Sequence, residues 1–213
     1  MSRINAKIKS NEETELNGQG PLITETDIEQ LYARLDVLSQ DDTLVISGSV
    51  PATLPGDMYE RIMERLDGRG VRVVVDAERE LLTRVLPYRP FLVKPNNIEL
   101  GDIYGVKLET RADVIPYAKR MQQAGARNVL VSMAGEGGVL VAESGEVFDS
   151  PAAKGEVVNS VGAGDSSVAG FLAGLAETGS YETAFRMALA AGSASAFSDH
   201  LATRPEVEEL MAR

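Results

Sequence analysis

Short β-branched runs alternate with amphipathic stretches from residue 43 to residue 132, and no other property of the chain restricts its possible folds so far. The run at 71–76, VRVVVD, is apolar at consecutive rather than alternate positions, the pattern of a parallel strand covered on both faces. Residues 43–46 read as a second buried strand, and residues 91–93 and 128–132 as two more. Between them, stretches at about 57–66, 78–86, 98 onward and 112–123 read as helices, with Tyr59, Ile62, Met63 and Leu66 forming the clearest stripe. Strand, helix and strand repeated in this way imply right-handed crossovers and a mostly parallel sheet with helices on both sides.

The flanking segments read differently. Residues 3–9 and 13–17 alternate apolar and polar, which predicts a short antiparallel hairpin within 1–20, serving as an edge or a lid. A helix is expected over 27–38, with Ile28, Leu31, Leu35 and Leu38 on one face, Thr26 as N-cap and Glu29 as its capping-box partner. After Gly138, the strings VLVA and EVFD flank ESG and predict an antiparallel hairpin closing one edge of the sheet. Three helices complete the chain: one from Asp165, an alanine-rich one at about 181–197, and one after Pro205. With no internal repeat, linker or compositional break, residues 1–213 read as a single domain.

A chain of 213 residues, 44% hydrophobic and 25% charged, buries a good-sized core. Its net charge of −11, with no basic stripe, argues against nucleic acid or an anionic membrane as partner. The absence of cysteine excludes disulfides, thiolate catalysis and cysteine-ligated metals, and a single histidine, His200, excludes a histidine-rich metal site. No apolar run approaches membrane-span length and no signal-peptide core opens the chain, so the cytoplasm is the expected location.

In open α/β sheets, ligands bind beyond the carboxyl ends of the strands. Gly48, Ser49, Asp76, Lys94, Asn96 and Ser132 all fall at such ends. The stretch most suited to chemistry there is NSVGAGDSSVAGFLAGL, 159–175. Gly162, Ala163 and Gly164 lead into Asp165 at a helix start, where unpaired N–H groups and the positive end of the helix dipole make an anion site. A carboxylate at that spot can take a proton from a hydroxyl while the N–H groups hold a phosphoryl group in transfer. A glycine-rich turn capped by aspartate is the plain alternative. In KPNNIEL, 94–100, Lys94 can reach a phosphate, while Asn96 and Glu99 have the spacing of a helix first turn and would serve equally as an N-cap pair. The glycines after Ser132, Gly135 and Gly137, lack the GxGxxG spacing of a dinucleotide fingerprint and read alternatively as a tight turn into the hairpin.

Asn159, Ser160, Gly162 to Asp165 and Ala169 to Leu172 resemble the C-terminal signature of the PfkB (ribokinase-like) sugar kinases, and the resemblance extends over the whole chain. RIN at 3–5, ETELNGQGP, KPNNIEL and AGSASAFSDHLAT are similar to the 1-phosphofructokinase and tagatose-6-phosphate kinase subgroup. The resemblance implies a ribokinase-like three-layer sandwich and transfer of phosphate from ATP to fructose 1-phosphate, giving fructose 1,6-bisphosphate, with tagatose 6-phosphate as the alternative acceptor. It gives Asp165 the role of general base and assigns the transferring phosphoryl group to Gly162, Ala163 and Gly164. It places Mg2+ near Asn96 and Glu99 through water, and ATP against Lys94, the Ser132–Gly135–Gly137 turn, Leu189 and Ser193. Ser49 and Arg3 are assigned to the sugar phosphate, although Ser49 also suits a proline-terminated turn and Arg3 a solvated chain end. Close helix packing is the simpler account of the small residues around Leu189 and Ser193. The resemblance further implies a monovalent cation at the 195–202 loop, where His200 replaces a usual glycine, and a homodimer as the assembly. In the glycine turn the usual S-x-G-x-x-G reads S-M-A-G-E-G, a displaced glycine. Kinases of this kind begin with a further segment holding a lid and a substrate aspartate, so the chain reads as the C-terminal two-thirds of such a domain. That leaves a nucleotide-binding remnant without activity, or an inert fragment, as alternatives to an enzyme.

Overall fold

A computed structural model describes residues 5–9, 13–18 and 20–212. The strand–helix alternation is realised as a six-stranded sheet whose spatial order follows the chain: β3 (Thr43–Ser47), β4 (Arg72–Asp76), β5 (Leu92–Val93), β6 (Asn128–Ser132), β7 (Gly138–Val141) and β8 (Val147–Ser150). The first four run parallel, β7 turns back antiparallel to β6, and β8 pairs antiparallel with β7 in the hairpin expected from VLVA and EVFD. The amino-terminal hairpin is also present, β1 (Asn5–Lys9) against β2 (Glu13–Asn17), as a separate two-stranded sheet and not as an edge of the main one.

Side chains that alternate along the strands divide the core in two. Val73, Val75, Val93, Val129 and Val131 point into one layer, packed by α2 (Met58–Leu66), α3 (Arg79–Val85), α4 (Asn97–Tyr104) and α5 (Arg111–Gln123). Val74, Leu92, Leu130 and Leu140 point the other way, onto α6 (Ala163–Thr178) and α7 (Tyr181–Ala196). The result is a three-layer α/β sandwich, and the consecutive apolar residues of β4 are explained by helices on both faces. A final helix, α8 (Arg204–Met211), packs Val207 and Leu210 against α7.

The α6–α7 contact is close because the residues between them are small. A side chain at Gly170 would meet the Met187 carbonyl oxygen at 2.5 Å, and one at Gly174 would meet the Ala184 Cα at 2.9 Å. Backbones that approach so nearly hold α6 in a defined place against α7.

Two expectations are corrected. The strand at 43–46 is not buried: only Ile46 is, and Val45 is 44% exposed. Val45 lies opposite Val74 on the same face, but the α6–α7 layer covers Val74 and stops short of β3, which among the described residues pairs on one side only. The first helix, α1 (Glu25–Leu35), begins two residues earlier than expected. TETDIE contains two overlapping capping spacings, and the earlier one forms: the Thr24 hydroxyl accepts the Asp27 N–H at 3.3 Å, and the Asp27 carboxylate accepts the Thr24 N–H at 2.8 Å. Thr24→Ala is therefore expected to lower stability by about 1 kcal/mol, with Thr26→Ala near neutral. Urea denaturation of the two variants measures the difference.

Candidate active site

The carboxyl ends of β3, β4 and β5 meet the start of α6. Register pairs Ser47 with Asp76 at adjacent strand ends, and Lys94 follows β5 directly. Lys94 is almost wholly buried, and its ammonium donates to the Asp76 carboxylate at 3.1 Å. Burial pushes the Asp76 carboxyl above the usual carboxylate range, opposed by Lys94 and reinforced by the nearby charge of Asp165. The same ammonium stands 3.1 Å from where a Cβ on Gly164 would be, so glycine there lets the cation lie against the first turn of α6.

That turn has the bare donors that its sequence implies. Gly162, at φ 79°, adopts the left-handed backbone and starts the helix without a side-chain cap. Ala163 N–H bonds back to Ser160 O at 3.2 Å and Ser166 N–H to Gly162 O at 2.9 Å. The N–H groups of Gly164 and Asp165 find no partner among the described residues. Asp165 itself is exposed, and one of its carboxylate oxygens accepts a hydrogen bond from the Ser47 hydroxyl at 3.2 Å.

Two clefts open on either side of this junction. The first, about 450 Å³, is lined by Asn96, Ser132, Gly135, Gly137, Ala163, Gly164, Leu189 and Ser193, with Gly155 and Phe197 closing it. Residues from five separate parts of the sequence are thus gathered around one cavity. Leu189 and Ser193 both face the cavity and belong to the closely packed helix. The second cleft, about 620 Å³, is lined by Ser47, Ser49, Asp76, Glu78, Arg79 and Glu99 among others. Asn96 and Glu99 form the cap pair: the Asn96 side chain accepts the Ile98 and Glu99 N–H groups at 2.9 and 2.8 Å, and the Glu99 carboxylate accepts the Asn96 N–H at 2.8 Å. Burial raises the Glu99 carboxyl above its ordinary value, and the bond from Asn96 opposes that rise.

Other expected site residues fall elsewhere. Arg3 lies outside the described residues. His200 is exposed and turned toward Glu206 at 3.3 Å, away from both clefts. The 195–202 loop is fastened by Ser195, whose hydroxyl meets Ser166 at 2.6 Å and accepts the Ala202 N–H at 2.8 Å. In the glycine turn the left-handed backbones fall at Ala134, φ 47°, and Gly137, φ 88°, and not at Gly135. A Cβ on Gly137 would overlap the Ser150 carbonyl oxygen. Ser47 and the Asp76–Lys94 pair escaped the sequence reading as a unit because strand register, not chain spacing, joins them. The visible signal was that SGS and VVVD both end strands on a small or acidic polar residue.

Donors for an anion, a carboxylate beside them and a cleft on each side are thus carried on a fold of ribokinase-like architecture. Residues 3–206 match the pfkB family carbohydrate kinases, and the chain belongs to that family of sugar-phosphorylating enzymes. It is 43% identical over 210 residues to the 1-phosphofructokinase of Bacillus subtilis, covering 99% of this chain and 69% of that protein. The D-tagatose-1-phosphate kinase of Bacillus licheniformis is 35% identical over 203 residues, covering 94% of this chain and 66% of that protein. Among solved structures, phosphofructokinase-2 from Escherichia coli in complex with potassium superposes with a TM-score of 0.89 at 28% identity, covering 99% of this chain and 70% of that one.

Two stability outcomes follow from this geometry. Lys94→Met leaves Asp76 buried without its partner and is expected to cost about 3 kcal/mol at neutral pH. The loss should shrink toward pH 5, because a carboxyl raised by burial destabilises the fold only as pH climbs through its folded-state value. Chemical denaturation at the two pH values reads both. Ala134→Gly relieves a left-handed alanine and is expected to add roughly 1 kcal/mol, seen as a higher denaturation midpoint.

Proposed function

We propose that this chain carries out phosphoryl transfer from MgATP to fructose 1-phosphate, giving fructose 1,6-bisphosphate and ADP. One observation supports this above the others: the Asp165 carboxylate adjoins the bare N–H groups of α6 and, through Ser47, the cleft opposite the nucleotide-sized one. The 450 Å³ cleft takes the nucleotide, with Leu189 and Ser193 against the base and the Ser132–Gly137 turn beside the ribose and phosphates. The 620 Å³ cleft takes the sugar phosphate, with Ser49 on its wall.

Asp165 accepts the proton of the acceptor hydroxyl as that oxygen attacks the terminal phosphorus, and the bond from phosphorus to the departing ADP oxygen breaks. The Ser47 hydroxyl occupies one carboxylate oxygen and so keeps the other directed at the acceptor. N–H groups of Gly164 and Asp165, with Lys94 beneath them, stabilise the charge that spreads over the transferring oxygens. Among the described residues no three acidic or histidine groups gather closely enough to cage an ion. Asn96 and Glu99 instead flank the two clefts with hard oxygen donors suited to holding Mg2+ through water. When bound, Mg2+ neutralises phosphate charge.

The identity with a D-tagatose-1-phosphate kinase makes a second ketohexose phosphate the reading to set beside fructose 1-phosphate. ADP release from MgATP with each sugar phosphate decides between them. Asp165→Asn is expected to lower turnover by roughly 10²–10⁴ while ATP affinity holds. A variant that turns over at the parent's rate removes Asp165 from the mechanism.

A further inference from the structure

The acceptor cleft is an unfavourable place for a phosphate as its carboxylates stand. Asp76, Glu78, Glu80 and Glu99 all line it, and a sugar phosphate brings a further dianion. The nearest buried cation, Lys94, is already engaged by Asp76. Among the described lining residues one cation remains, Arg79.

Arg79 has two unusual properties. Its backbone lies at φ 49°, in the left-handed region that costs a residue bearing a Cβ about 1–2 kcal/mol and that glycine would occupy without strain. Its side chain is 75% exposed and makes only a long contact, 3.7 Å, with Asp102. Arginine is therefore retained at a position whose backbone disfavours it, with a guanidinium that no short ion pair consumes. The same side chain borders both the acceptor cleft and the groove beside it that is lined by Asn97, Asp102 and Lys107. Persistent backbone strain concentrates where a side chain has a task.

We infer that Arg79 grips the phosphate of the acceptor sugar and so makes the cleft selective for phosphorylated sugars over free ones. The guanidinium offers two parallel N–H donors, the geometry that phosphate oxygens accept best. The reacting hydroxyl then lies toward Ser47 and Asp165, and the phosphate toward Arg79, within the cavity of about 620 Å³ that Ser47 and Arg79 both line. This assignment rests on the acceptor cleft proposed above, and it names the residue that selects within it.

The test uses binding without ATP, so it stands apart from turnover. Fructose 1-phosphate is titrated into the chain while the amide resonances of Gly48 and Ala77 are followed, with free fructose as the comparison. The parent is expected to bind the phosphate ester and not the free sugar. Arg79→Gly and Arg79→Ala should each weaken the ester about tenfold or more. Thermal denaturation separates binding from structure: Arg79→Gly should melt at or above the parent, because the strain is gone, while Arg79→Ala should not rise. Unchanged affinity in both variants, or a parent whose Gly48 and Ala77 amides ignore the ester, overturns the inference. A parent that binds through Arg79 yet releases no ADP from MgATP upholds the grip and removes the kinase reading instead.

Discussion

The buried pair of Lys94 and Asp76 is the contact around which the site is assembled. It joins the ends of β4 and β5, and its ammonium lies against the backbone of Gly164 at the start of α6. Taking two charges out of water is costly unless they meet each other at short range. At 3.1 Å they do, and the strand ends and the helix terminus are held in one arrangement as a consequence. The two clefts then open on either side of this junction, the one beside Gly135 and Gly137 glycine-rich and apolar, the one beside Ser47 and Asp76 acidic.

That junction depends in turn on the α6–α7 contact. Gly170 and Gly174 let α7 approach until side chains have no room, so the first turn of α6 cannot shift along its axis without a clash. Ser195 adds a hydroxyl link to Ser166, one residue beyond Asp165, and ties in the loop before α8. Phosphoryl transfer in this class asks mainly for positioning and preset electrostatics. Close backbone packing of α6 on α7 supplies positioning of that kind at the helix start.

Strain appears where the clefts are formed. Ala134 in the turn after β6 and Arg79 on the wall of the acidic cleft both take left-handed backbones that favour glycine. At Ala134 the reason is steric: the hairpin entry is defined by Gly137, whose missing side chain makes room for the Ser150 carbonyl, and the turn closes through the Met133 N–H to Gly137 O bond at 2.8 Å. Alanine tolerates the place of the first glycine and its replacement by glycine changes no contact, since the turn's shape is already determined.

Much of this was legible in the sequence. The consecutive valines of VRVVVD required helices on both faces, the VLVA and EVFD strings required a hairpin, and GAGD at a helix start required an anion site, because each rests on local periodicity or backbone sterics. The family signature followed from the same residues. Only the tertiary structure decided which of two overlapping caps starts α1, that β3 is exposed at Val45, and that His200 faces Glu206 and not a site. It alone brought Ser47 to Asp165 across 118 residues, paired Asp76 with Lys94, and placed Arg79 over an acidic cleft. The physical reason is that periodicity encodes which face of an element is apolar, while ion pairs, strand register and the extent of a covering layer depend on elements far apart in the chain.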